Sequence, residues 1–543
     1  MKGKLARVLF LCFFVLSVPR LWSAEGTQLT ILHTNDTHST LFPYGPLTGW
    51  GGIARVSSLI KEIKSERPNV LVLNSGDVFV GTFEFNKYLG YPELKIMEAL
   101  YDAMGLGNHE LDLGLQPLLG IVSGQIGGGQ PVGLPILCAN INLEAIPALK
   151  NFVKPYVVKQ VGSLKVGLFG VVGNNPVDYS PEVYGLLSDP FQAAGEAAFT
   201  LKYVEQVDVV VCLSHLGRIS DVTGLAEVPD IDIIIGGHSH DALFNPILAG
   251  GKIIVQAGEF GRYLGDLQVT VEGSQVSLVR GGLHQIDGRT KSDPSLLPML
   301  NALRDGIVMD PRFGPVFTAR LAKAPWDLEE KWDLTRPERD TPLGNLVADA
   351  ILTKVTAAGF AANIALEANG YITYKIHRGK VVANDIFRSV PYGYDPGSGL
   401  GFRLDVVLLA GLQILAGLEY SVSMAEYIDD LSMQASGLTF EYDSTKTPMG
   451  PEQLIYNMMQ GIPEWGRVNP FSIKVNGESI NFAATYWVVL NEQLHRFLSA
   501  NGLEPYAEMQ TGIFEYNAVL DYMAELGALN YGIEGRIVDK PEN

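Results

Sequence analysis

Seven side chains able to bind a metal stand in five short segments, each just after an apolar run: Asp36 and His38 in TNDTH, Asp77 in NSGDVFVG, Asn108 in GNHE, His215 in LSHLG, and His238 and His240 in GGHSH. Carboxylate, amide and imidazole donors without any thiolate suit Mn, Fe, Zn or Co and disfavour a structural Cys-rich zinc site. Each segment has an ordinary alternative. Asp36 could be a solvated or capping residue with His38 incidental, Asp77 could close a turn by bonding its own backbone, and each other His could be a hydrogen-bonded loop residue. Those alternatives do not explain why five of only nine histidines fall where a strand would hand over to a loop. Two ions roughly 3.5 to 4 Å apart clamp a phosphoryl group and activate a bridging water for in-line attack. Within GNHE, the residue after Asn108 is His109, which can act as a general acid if a carboxylate fixes its tautomer. Asp112 is the nearest candidate, with Glu110 competing.

The elements that must position these residues are legible around them. Between Gln28 and about Gly282, QLTILHT, NVLVLNS, PILCANI, LKVGLFGVV, VDVVVCLSH, IDIIIGGH and KIIVQAG are nearly continuous in apolar residues, as strands buried on both faces are. LGDLQVTVEGSQVSLVRG reads as a hairpin with a Glu-Gly turn, and GGIARVSSLIKEIKSER as a helix. This part is α/β. After a helix-like connector, SLLPMLNALRDGIVMD, helices and strands stop alternating: TPLGNLVADAILTKVTAA reads as a long helix, ANIALEANG, SGLTFEYD and YWVVLNEQL as strands. The second part is therefore α+β. The expected division is a signal peptide over 1–24, a first domain over 25–300, a connector over 301–325 and a second domain over 326–543.

At 543 residues the chain can build two cores. Lys2, Lys4 and Arg7 precede an apolar stretch, Val8 to Val18, too short for a membrane span, so export to a periplasm or the extracellular space is expected. An uncleaved anchor is the alternative, since Trp22 is bulky so near the cut. Cys138 and Cys212, the two cysteines beyond the leader, lie in apolar runs and point to no disulfide framework. A net charge of −19 argues against a nucleic-acid polymer as partner, while a bound metal pair could still recruit a small anion.

The ordered series DTH, GD, GNHE, H and GHSH resembles that of the calcineurin-like metallophosphoesterases, and the whole chain is similar to the secreted two-domain 5′-nucleotidase family. The resemblance implies a two-sheet sandwich flanked by helices. It implies one ion on Asp36, His38 and His240, a second on Asn108, His215 and His238, Asp77 bridging them, and His109 with Asp112 as the catalytic dyad. It also implies a 5′-nucleotidase-type second domain that holds the nucleotide or a related phosphate ester, with Arg339, Asn369, Phe402 and Phe497 as contacts. Two positions depart from the family: Thr373 stands where an arginine is expected and Glu504 where an aspartate is. These departures leave open the same chemistry on a 2′,3′-cyclic nucleotide, a nucleotide sugar or a sulfur-linked ester. A metal-containing surface protein without catalysis is the reading from a different class.

Overall fold

The computed structural model describes residues 26–541, apart from 46–48, 145, 176–177, 424–429 and most of 451–465; the leader expected at 1–24 lies outside the described residues. Thirteen strands build two stacked sheets in the first domain. In chain order they are β1 (Thr27–Thr34), β2 (Val70–Asn74), β3 (Ala103–Gly105), β4 (Ile136–Leu137), β5 (Val153–Lys154), β6 (Tyr156–Val161), β7 (Leu164–Val172), β8 (Val209–His215), β9 (Ile233–Ile235), β10 (Ile247–Ala249), β11 (Lys252–Val255), β12 (Tyr263–Glu272) and β13 (Gln275–Gln285). One sheet runs β13-β12-β1-β2-β3-β4-β5 and the other β10-β11-β9-β8-β7-β6.

The apolar runs are explained by this stacking. Leu29, Ile31, Leu71 and Leu73 pack between the sheets against Val166, Leu168, Val209, Val211, Ile233 and Ile235. The opposite side of β1 and β2 presents Leu32 and Val72 to the helix Ile53–Glu66 through Ile60 and Ile63. Both faces of these strands are therefore dry, and alternation with polar residues has no place to occur. β1, β2 and β3 are parallel neighbours, as are β8 and β9. Parallel strands bring their C-terminal ends to one edge, and a site built there draws on several loops at once.

Two expectations need adjustment. PILCANI carries only a two-residue strand, because Asn140 takes over the backbone, accepting from Val172 N at 3.0 Å and donating to its carbonyl at 2.8 Å. The hairpin turn falls at Gly273-Ser274, one residue later than read, with Glu272 paired to Gln275 and Gly273 at φ +60°. Cys138 and Cys212 are buried free thiols.

In the second domain a five-stranded sheet runs Met433–Ser436, Ile364–Ala368, Thr485–Asn491, Arg403–Ala410 and Ala507–Phe514. Its long helix, Pro342–Ala357, starts at Thr341, whose Oγ1 accepts from Gly344 N at 2.9 Å.

The two domains share one apolar core. Phe83, at the start of the first-domain helix Phe83–Tyr88, stacks on Phe387 of the second with ring centres 4.2 Å apart, and meets Tyr516 at 5.6 Å. Asn86 Nδ2 donates to the Gly399 carbonyl at 3.1 Å. Arg388 crosses the boundary too: both terminal nitrogens donate to Thr40 Oγ1, and the guanidinium lies 4.2 Å from the Tyr44 ring centre and 5.0 Å from that of Phe260. Phe83 is fully buried. Phe83→Ala is predicted to cost about 3–5 kcal/mol, read as a lower guanidinium midpoint at unchanged slope.

Candidate active site

The loop after β1 begins with Asn35, whose amide nitrogen donates to Asp36 Oδ2 at 2.5 Å and to the Gly258 carbonyl at 2.6 Å, while its oxygen accepts from Ala257 N at 2.8 Å. Asp36 is thereby fixed with no exposure to solvent. The loop after β2 supplies Asp77 from behind Gly76, where φ is +92° and a Cβ would meet Gly107 N at 2.6 Å. Only glycine allows that approach.

Asp77 is the hub. Its Oδ1 accepts from His109 N at 3.0 Å. Its Oδ2 lies 2.9 Å from His215 Nε2, 3.9 Å from His109 Nε2 and 4.0 Å from His38 Nε2. Asp36 Oδ1 lies 3.6 Å from His240 Nε2 and 3.7 Å from His215 Nε2. The Nε2 atoms of His38 and His240 are 3.1 Å apart, and His238 Nδ1 is 3.1 Å from Asn108 Oδ1. All seven residues singled out by their spacing thus converge, among them two triads, Asp36-His38-His240 and Asp77-His215-His238, whose donor atoms lie within 4.8 Å of one another.

The donor set fits divalent ions. Two buried carboxylates are held close together, and two imidazole nitrogens face each other. His215 Nε2 is fully buried against the Asp77 carboxylate. Such an arrangement is costly unless cations occupy it. Backbone strain marks the same residues: Asp36, His38, Asp77, His238 and His240 all have φ between 46° and 73°. Left-handed backbone at non-glycine residues clusters at functional sites because the surroundings over-determine it.

Around the donors, further groups fix ring orientation. His215 Nδ1 lies 2.6 Å from the Ser75 carbonyl and His240 Nδ1 2.6 Å from Glu259 Oε2. His109 Nδ1 lies 2.7 Å from Asp112 Oδ2, which decides between the two candidate carboxylates. Burial opposes a charge on His109, but Asp112 and Asp77 outweigh it and carry its pKa up to about 10. Glu110 has a different task. Its Oε2 accepts from Asp77 N and Gly107 N at 3.0 and 2.7 Å, and its Oε1 from Val78 N and Phe79 N at 2.7 and 3.0 Å. One carboxylate ties the Asp77 loop to the Asn108 loop. Glu259 escaped the sequence reading, although it too follows an apolar run, KIIVQAG.

From this centre a cleft of about 700 Å³ runs between the domains. Asn369, Thr373, Phe402 and Phe497 line it from the second domain, together with Tyr371, Tyr392 and Lys331, and Arg218 lines it from the first. Arg339 is not among its lining residues. Its guanidinium is engaged with Asp539 at 3.2 Å and with the Arg336 carbonyl, and it is buried. Glu504 is exposed outside the cleft, with its carbonyl taken by Gln413.

Loops at the ends of parallel strands, carrying carboxylate, amide and imidazole around a shared centre, define a calcineurin-like phosphoesterase domain, and that family matches residues 29–242. The 5′-nucleotidase C-terminal domain family matches residues 322–501, and the chain belongs to the two-domain 5′-nucleotidase family that joins the two. The chain is 29% identical over 455 residues to the trifunctional nucleotide phosphoesterase protein YfkN of Bacillus subtilis, covering 78% of this chain but only 29% of that much longer protein. Its identity to the 5′-nucleotidase of Homo sapiens is 28% over 477 residues, covering 79% of this chain and 78% of the relative. Among solved structures, a 5′-nucleotidase precursor from Thermus thermophilus is similar with a TM-score of 0.81 at 29% identity, covering 95% of this chain and 100% of that one.

Glu110→Gln sets an NH2 group against backbone N–H donors and is predicted to cost about 1–3 kcal/mol in stability. Urea unfolding of the variant checks this; an unchanged midpoint would show that the tie between the two loops carries no load.

Proposed function

We propose that this chain is an exported phosphoesterase that hydrolyses nucleoside 5′-phosphates with two divalent ions. The observation that carries the reading is the single cleft joining the donor cluster to Asn369, Phe402 and Phe497. Its volume suits a nucleotide. Export rests on the leader-like residues 1–24, and no described helix is long and apolar enough to cross a membrane.

In this reading Asp36, His38 and His240 would hold one ion, Asn108, His215 and His238 would hold the other, and Asp77 would be available to both. Ions held there polarise the phosphoryl oxygens and acidify a water. The protein supplies the rest. Asp112 fixes the orientation of the His109 ring through Nδ1, with Nε2 on the side of Asp77. As the water oxygen bonds to phosphorus and the ester P–O bond breaks, the leaving oxygen keeps the electron pair and takes the proton of His109 Nε2. The proton released by the water restores the imidazolium, so ester and water become alcohol and phosphate. Phe402 and Phe497, both half-buried at the far end of the cleft, offer flat apolar faces to a base.

One observation favours a second reading, the same chemistry on a cyclic nucleotide, a nucleotide sugar or a sulfur-linked ester. Thr373 presents no charge, its hydroxyl donating to the Arg388 carbonyl at 2.6 Å, and the cations lining the cleft, Arg218, Lys331 and Arg496, stand elsewhere.

His238→Ala is predicted to lose bound metal and turnover together, whereas His109→Ala keeps its metal and loses about 100-fold or more in kcat. Elemental analysis beside phosphate-release kinetics separates the two, and full activity in either variant sinks the mechanism. Phe402→Ala and Phe497→Ala are each predicted to raise KM for a nucleotide by about tenfold, a stacking loss of 1–3 kcal/mol. A substrate panel spanning nucleoside phosphates and the alternative esters shows whether the aromatics serve a base; an unaltered KM for every nucleotide would remove that role.

A further inference from the structure

His109 has two ring contacts besides its bond to Asp112: His38 meets it edge-on with ring centres 5.3 Å apart, leaving the ring's face to a second neighbour. Tyr392, from the second domain, lies nearly flat on the imidazole, with ring centres 5.0 Å apart and planes 16° from parallel. A single hydrogen bond at Nδ1 leaves a histidine ring a broad torsional range. A ring packed on its face closes that range and keeps Nε2 turned towards Asp77 Oδ2.

The position of Tyr392 is itself determined from several directions. Upstream, Phe387 is stacked on Phe83 and Arg388 donates to Thr40 Oγ1, both across the domain boundary. Downstream, the Tyr392 carbonyl accepts from Phe402 N at 3.0 Å, and Gly393 has φ +85° where a Cβ would meet Phe402 N at 2.8 Å. Within the cleft the Tyr392 ring meets Tyr371 edge-on at 6.0 Å, and Tyr371 meets Phe402 at 5.6 Å. An aromatic line thus leads from His109 to a residue at the base end of the cleft.

We propose that Tyr392 is a positioning residue, through which the second domain holds His109 with Nε2 aimed at the leaving oxygen. The proposal rests on the role of His109 as acid given above. Its consequence depends on the leaving group. When the P–O bond of a nucleoside 5′-phosphate breaks, the electron pair goes to a ribose alkoxide that needs the His109 proton. When 4-nitrophenyl phosphate is cleaved, the nitrophenolate departs as a stable anion and needs little help. A ring that merely fills space in the cleft would slow both esters alike.

The experiment compares Tyr392→Leu, Tyr392→Phe and His109→Ala in the metal-loaded full chain, measuring kcat and KM for AMP and for 4-nitrophenyl phosphate, with metal content in parallel. Tyr392→Leu is expected to lose about tenfold more kcat on AMP than on the nitrophenyl ester, with metal content retained and little change in KM. Tyr392→Phe, which keeps the ring, is expected to recover most of that loss. Equal losses on both esters, a loss carried by KM, or a Phe variant no better than Leu would overturn the proposal. If His109→Ala shows the leaving-group dependence and Tyr392→Leu does not, only the role of Tyr392 falls; if His109→Ala shows none, the acid assignment falls and takes the proposal with it.

Discussion

Asp36 and Asp77 are two carboxylates buried among imidazoles. Removing charge from water is expensive, and like charges held close make it more so. Five of the seven donors also sit on left-handed backbone, a cost of order 1–3 kcal/mol each. Nothing local could hold such a cluster together. The scaffold does it by converging the ends of parallel strands whose two faces are already committed to apolar packing, so that no loop can relax without unpacking a sheet. Glu110, with four backbone donors on one carboxylate, extends the same logic into the loops themselves.

That arrangement explains what could be read from the amino-acid order. Strands with two dry faces write themselves as unbroken runs of Val, Ile and Leu, and a polar side chain directly after such a run is already at the functional edge. β7 was legible to the residue for this reason, and so was the convergence of the donors. Side-chain orientation is harder to read, because spacing favoured Asp112 as the partner of His109 but left Glu110 in competition, and only the three-dimensional path of the backbone separates their tasks. In the second domain, residues 403–418 form one apolar stretch that the fold divides at Gly411 into a strand and a helix, a division periodicity does not mark. Arg339 shows another limit. Its position before the long helix matches a motif, but Asp539, two hundred residues later, claims its guanidinium.

The division of labour between the domains follows from where each kind of contact lies. The candidate metal donors all come from the first domain. Most of the aromatic rings lining the cleft come from the second, Tyr371, Tyr392, Phe402 and Phe497 among them. Thr373, an uncharged lining residue, lies on that side of the cleft.

The buried stack of Phe83 on Phe387 and Tyr516 also has a temporal side. A ribosome adds about 5–20 residues per second, so Phe83 leaves the exit tunnel tens of seconds before its two partners have been made. During that interval the first domain carries an uncovered aromatic face, and a chain bound for export would travel in the same state. Until the second half is made, that face stays open to neighbouring chains as well as to its own partner.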